Sequence, residues 1–264
     1  MTSRAGASWP ASAGQPARGP GDLRGWPAGP ERPEPPRSGE VHLWAALLDD
    51  ISPDDGRACL EPAEESRMER FRRPRDAARF RNARWMLRSV LGRYLDLAPG
   101  EVRYVTGRHG RPELECDRGT GLRFNASASG GVALVGVTTG APVGVDVERP
   151  GAPVDPVALA RAVFHPDEWA AITRLADRGA QAAAFYRCWT RKEAVAKGVG
   201  LGLRIGFDRF RIGGDAWDGP RAITLERPTG HWTVMDLSTP PAVYAAVALA
   251  AGPVAVRVWS WQAA

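Results

Sequence analysis

The residues able to do chemistry fall in two short stretches. In Gly144-Val145-Asp146-Val147-Glu148 the strand period of two puts Val143, Val145 and Val147 on one face, and Asp146 with Glu148 on the other. Two carboxylates pointing the same way repel unless a cation or hydrogen-bond donors neutralise them. Their hard oxygens suit magnesium, which takes one or two carboxylates together with phosphate oxygens and water. Standing alone, such a pair also fits a solvated strand face. About forty residues later Trp189, Glu193 and Lys197 fall at i, i+4 and i+8, so one helical stripe carries an aromatic anchor, a carboxylate and an ammonium. By itself that stripe equally fits an ordinary surface ion pair. A third carboxylate followed one turn later by an ammonium is also what metal-assisted phosphoryl transfer requires. The anions hold the ion, and the ammonium takes up charge on the phosphate oxygens.

Lysine usage sharpens the point. Nearly all basic residues are arginine, and the only two lysines, Lys192 and Lys197, flank Glu193. An ammonium is a compact point charge and a guanidinium a planar fork, so two lysines kept together in an arginine-rich chain suggest a site that needs the ammonium.

These residues must be positioned by regular elements. Apolar runs predict strands at Val41–Leu48, Val102–Thr106, Leu122–Ser127, Val132–Thr138 and Val143–Glu148. Helical spacing of apolar residues predicts helices at Pro62–Phe71, Arg75–Leu97, Val157–Val163, Pro166–Arg174 and Gln181–Lys197. Further strands are expected at Phe207–Ile212, Ala222–Leu225, Trp232–Leu237, Val243–Ala250 and Val254–Ser260. The two halves use the same inventory without a residue-level repeat. Gly198, Gly200 and Gly202 follow a helix rather than joining a strand to one, so they read as a turn and not as a dinucleotide fingerprint.

Composition narrows the class. With 264 residues, 44% of them hydrophobic, the chain can bury one large core or two modest ones. Residues 1–40 carry proline or glycine at more than a third of positions with no apolar period, the composition of a disordered tail. The three cysteines, Cys59, Cys116 and Cys188, form neither a disulfide framework nor a zinc pattern, which favours a reducing cytoplasm. No apolar run approaches bilayer length and the start lacks a secretory pattern, so neither membrane insertion nor export is expected. The net charge of +5 gathers between Glu64 and Pro112, where arginines outnumber acids about two to one. Such a segment attracts a phosphate-rich small molecule, an acidic protein or a nucleic acid.

Gly-x-Asp-x-Glu followed by Trp189-x-x-Lys192-Glu193-Ala194-x-x-Lys197 and by Gly200-Leu201-Gly202-Leu203 is similar to the surfactin-type 4′-phosphopantetheinyl transferases. The flanking blocks Phe71 through Arg88, His109-Gly110-Arg111-Pro112, Phe124-Asn125-x-Ser127 and Phe164 through Trp169 extend the resemblance to about residues 41–260. It implies an α+β fold of two similar subdomains, 41–141 and 142–264, related by a pseudo-twofold axis. Each would be a small, mostly antiparallel sheet packed with helices, and coenzyme A would lie in the cleft between them.

The resemblance also implies roles. Asp146, Glu148 and Glu193 would hold Mg2+ against the coenzyme A pyrophosphate. Glu193 would assist deprotonation of a serine on an apo acyl or peptidyl carrier protein. Lys197, with Lys192 nearby, would stabilise charge as 3′,5′-ADP leaves. Arg67, Arg79, Arg111 and Ser127 match positions that reach the cofactor. One departure stands out: where the family usually has Ser-His-Ser, this chain has Ser127-Ala128-Ser129, which removes one phosphate contact and implies weaker coenzyme A binding. A monomer is expected. The rival readings are a non-catalytic carrier-binding relative and a basic nucleic-acid-binding protein. The latter is disfavoured because a triple-carboxylate site without metal repels phosphate.

Overall fold

The computed structural model describes residues 25–262, except 53–58, 108–110, 152–154, 213–219, 227, 251 and 253. Residues 1–24 of the expected tail, and His109-Gly110 of the flanking block, lie outside the described residues. The chain runs β1 (Glu40–Leu47), α1 (Pro62–Met68), α2 (Pro74–Leu95), β2 (Tyr104–Thr106), β3 (Pro112–Leu114), β4 (Leu122–Ser129), β5 (Val132–Thr139) and β6 (Val143–Glu148). It continues with α3 (Pro156–Val163), α4 (Pro166–Thr173), α5 (Arg178–Val199), β7 (Arg221–Glu226), β8 (Thr229–Asp236), β9 (Tyr244–Leu249) and β10 (Ala255–Ser260). The fold is α+β, with two four-stranded sheets ordered β10-β1-β5-β4 and β6-β9-β8-β7.

Strand alternation builds the layers. On β1, Val41, Leu43 and Ala45 face the second sheet, meeting Val143, Val145, Val147, Val247 and Leu249. The alternate residues Trp44 and Ala46 face α2, where Met86, Leu87, Val90, Leu91 and Tyr94 close the first helical layer. Across the second sheet Ala246, Ala248 and Val234 face Ala194, Val195 and Phe185 of α5. The order is therefore helix, sheet, sheet, helix, each apolar face buried against the next. Gly136 belongs to the contact between sheets, where an added Cβ would press on Val145 Cγ1 at 2.7 Å.

Three expectations change. The last strand, β10, does not stay with the second half: it pairs in parallel with β1 and completes the first sheet, Leu43 opposite Val258. The segment 25–39 is not loose chain. Trp26 is buried in the inter-sheet core, Gly29 N donates to Ser260 O, and Gly29 lies so close to the Trp44 ring that a side chain there would collide with it. Phe207–Ile212 is not a strand, because Phe207–Arg209 forms a short 3-10 turn. The polar backbone of that stretch is satisfied by buried side chains: Lys192 donates to the Phe207 and Phe210 carbonyls, and Glu168 accepts from Ile212 N.

Candidate active site

The seam between β6 and α5 is set by glycine. Gly144 has no room for a Cβ, which would strike the Ala194 carbonyl and the Gly198 amide, so α5 lies directly on β6. Asp177 caps the start of α5 by accepting from Ala180 N, and Gly200, at φ 84°, ends it in the left-handed conformation. Glu193 and Lys197 are thereby carried over the side of β6 that presents Asp146 and Glu148.

Asp146 is buried, and its Oδ1 accepts from Lys197 Nζ at 2.6 Å and from Ser127 Oγ at 2.9 Å. Its other oxygen, Oδ2, is buried without a hydrogen-bond partner among the described residues. Glu148 accepts from Ser129 Oγ at 2.6 Å. Burial pushes all three carboxyls up. For Asp146 desolvation outweighs Lys197 and Ser127, and for Glu148 it outweighs Ser129, with the Asp146 charge adding to the rise. Glu193 is raised to about 6 by desolvation, with Lys197 opposing and Asp146 and Glu148 adding. The Asp146 charge thus bears on Glu148, and both charges bear on Glu193.

Polar side chains on β4 hold β6 in place. Asn125 Oδ1 accepts from Val145 N at 2.9 Å, Ser127 Oγ from Val147 N at 3.4 Å, and Ser129 Oγ from Arg149 N at 3.3 Å. β4 and β6 are edge strands of different sheets, so these side chains do what a neighbouring strand would do. Asn125 and Ser129 were not picked out as site residues in the sequence, although the alternation Asn125-x-Ser127-x-Ser129 was the available signal. Ser127 was expected to contact the cofactor. Its hydroxyl proton is committed to Asp146, so it serves the carboxylate.

A pocket of about 490 Å³ opens beside this row. Arg67, Arg79, Phe80 and Arg84 form one wall, Ser127, Ala128, Ser129, Gly130 and Gly131 another, and Lys197 also lines it. The Arg67 and Arg84 guanidiniums each lie 5.1 Å from the centroid of the Phe80 ring. Arg67, Arg79, Ser127 and Lys197 are thus brought together as expected residues of one cleft.

Two expected residues are not in it. Lys192 is fully buried on another side of α5, 2.8 Å from Glu168 Oε2 and 4.2 Å from the centroid of Phe210. A buried ammonium needs a buried anion, and Glu168 is that anion, so Lys192 cross-braces α4, α5 and the Phe207–Phe210 turn instead of meeting a phosphate. Arg111 donates through Nη1 to Gly198 O at 2.7 Å and lines a different cavity of about 630 Å³ with His231 and Trp232. That cavity is larger, but the smaller pocket is lined by Lys197, Ser127 and Ser129, the side chains that hydrogen-bond Asp146 and Glu148, and this link to the carboxylate row singles it out.

Among the described residues, no group of three or more His, Cys, Asp or Glu side chains is placed to hold a metal ion. The donor set nevertheless suits a hard divalent cation. Among the described residues Asp146 Oδ2 is buried without a hydrogen-bond partner, and the Asp146 and Glu148 charges both raise Glu193, a repulsion that a bound cation would relieve.

Comparison with known proteins points to one family. Residues 142–250 match the family model of the 4′-phosphopantetheinyl transferase superfamily. The 4′-phosphopantetheinyl transferase HetI of Nostoc sp. is 38% identical over 179 residues, covering 65% of this chain and 75% of that protein. A phosphopantetheinyl transferase of Thraustochytrium sp. is 30% identical over 70% of each chain. The 4′-phosphopantetheinyl transferase Sfp of Bacillus subtilis is 28% identical over 58% of this chain and 66% of its own. No described helix is long and apolar enough to cross a membrane.

Proposed function

The chain belongs to the 4′-phosphopantetheinyl transferase superfamily, and on that premise we propose how its cleft performs the transfer. It is an enzyme that moves 4′-phosphopantetheine from coenzyme A to a carrier protein. The observation that carries the assignment of residues is the position of Lys197: it lines the pocket and donates to Asp146, so one ammonium joins the anion site to the carboxylate row.

In this reading Arg67, Arg79 and Arg84 receive the phosphates of coenzyme A, and Lys197 takes up charge on the bridging phosphate as 3′,5′-ADP departs. Asp146, Glu148 and Glu193 would hold Mg2+. When bound, the ion would neutralise pyrophosphate charge and polarise the phosphorus under attack. Ser127 and Ser129 aim the carboxylates by donating to Asp146 and Glu148. Glu193 takes the proton of the acceptor serine as its oxygen approaches phosphorus. The P–O bond to the ADP moiety breaks as the new serine–phosphorus bond forms. The arginine-rich rim steers an acidic acyl or peptidyl carrier protein toward the cleft.

Intact-mass measurement of an apo carrier protein incubated with this chain, coenzyme A and magnesium tests the reading. One phosphopantetheine is expected per carrier. No gain with any apo carrier tried would overturn the assignment.

A further inference from the structure

Arg79 is not a free cation waiting for a ligand. Its Nε and Nη2 donate to Asp49 Oδ1 and Oδ2, each at 2.7 Å, a two-pronged fork on one carboxylate. Asp49 lies just beyond β1, in the short 3-10 turn Leu48–Asp50, so the contact joins the end of a core strand to the exposed side of α2. The same carboxylate takes a second fork. Arg75 donates through Nη2 to Oδ2 at 2.7 Å and through Nε to Oδ1 at 3.4 Å.

The backbone beneath is shaped to the pair. Gly131 has φ 87°, and a Cβ there would lie 2.7 Å from Arg79 Nη2 and 2.9 Å from Asp49 Oδ2. Leu48 N donates to Gly131 O, which ties the Asp49 turn to the β4–β5 turn forming a wall of the pocket. Only glycine leaves room for the carboxylate and guanidinium to settle against the main chain at that point. Arg79 is mostly buried, its side chain 21% exposed, whereas Arg75 is 68% exposed. Of the two partners, only Arg79 lines the pocket.

We propose that Asp49 is a positioning residue for the phosphate site: it spends two of Arg79's donors to fix the guanidinium plane, so that the remaining N–H groups meet the anionic substrate already oriented. An arginine on an exposed helix turn loses rotamer freedom on binding a phosphate, and a side chain held beforehand avoids that loss. The anchor is kept by a second cation, because Arg75 shares the Asp49 carboxylate and so leaves these three groups with one net positive charge, while Asp76 acts on Arg79 from the same helix. The two guanidiniums hold the Asp49 carboxyl well below the usual carboxylate range, so the fork persists through ordinary pH. This role rests on reading the pocket as the coenzyme A site.

Charge alone predicts the opposite effect, and that makes the test decisive. Removing Asp49 adds one positive charge to the pocket wall, so simple attraction would tighten anion binding. Positioning predicts weakening. Calorimetric titration with 3′,5′-ADP, alongside KM and kcat for coenzyme A, separates the two. Asp49→Asn is expected to weaken 3′,5′-ADP binding and raise KM by roughly tenfold, with kcat falling less than KM rises. Asp49→Glu keeps the net charge and displaces the fork by a methylene, and a smaller weakening in the same direction is expected. In an Arg79→Gln background Asp49→Asn is expected to add little, because its effect passes through Arg79. Unchanged or tighter binding in Asp49→Asn overturns the role, as does an equal loss with and without Arg79. Absence of 3′,5′-ADP binding by the unsubstituted chain would instead overturn the pocket assignment, and this role with it.

Discussion

Lys197 Nζ donates to Asp146 Oδ1 at 2.6 Å, while Asp146 Oδ2, also buried, has no hydrogen-bond partner among the described residues. One oxygen of this carboxylate is answered by the helix that carries the ammonium, and in the proposed reading the other would take a cation. Magnesium is therefore expected to raise the unfolding temperature of the chain, and Asp146→Asn to abolish that rise. The same change is expected to lower carrier modification roughly a hundredfold or more. An equal magnesium effect in both proteins would place the metal elsewhere.

Glu193 gives a pH signature in metal-free protein. Its carboxyl is raised from the ordinary value of 4.5 to about 6, so the folded state prefers the protonated form. The stability this lends is complete below about 4.5 and is lost as pH rises through 6. With a chelator present, Glu193→Gln is expected to be more stable than the parent above pH 6 by on the order of 1 kcal/mol, after allowance for solvent screening, and no different below 4.5. Urea unfolding across that range measures the difference. A pH-independent gap would mean that the carboxyl is not raised.

Lys192 is expected to govern stability. Lys192→Met leaves Glu168 buried without its cation and is expected to cost about 3–5 kcal/mol, much of it recovered by adding Glu168→Gln, which still accepts from Ile212 N. Urea denaturation of the single and double variants checks this. A fall in kcat exceeding the fall in folded protein would return Lys192 to the chemistry.

Trp26 tests the N-terminal segment. It is 6% exposed and packs with Leu237 and Val243 in the core between the sheets. Trp26→Ala is expected to destabilise the chain by about 3 kcal/mol. A change within the error of the unfolding measurement would show that the segment is dispensable.

Much of the site could be read before the fold. Alternation in Val143–Glu148 put Asp146 and Glu148 on one face, and helical spacing put Glu193 and Lys197 on one stripe, because both periods are local properties of the backbone. The glycines were visible too, but not the reason for Gly144, which lies in how closely α5 approaches β6. The roles of Ser129 and Asn125 are not legible in the sequence because their partners are about twenty residues away on another sheet.

The two lysines mark the limit of such reading. Their proximity in sequence suggested a shared task, yet residues five apart on a helix point in different directions, and the packing of α5 decides which direction is core and which is cleft. Lys197 faces Asp146 and the pocket, while Lys192 faces Glu168 and the aromatic core. By itself the sequence determined the carboxylate row, the ammonium one turn beyond Glu193 and the arginine-rich wall. Only the tertiary structure decided that Trp26 and β10 belong to the first sheet's layer, that Lys192 is a brace, and that Asp49 holds Arg79. Each of these depends on contacts between distant segments, which burial and charge pairing select and local periodicity does not encode.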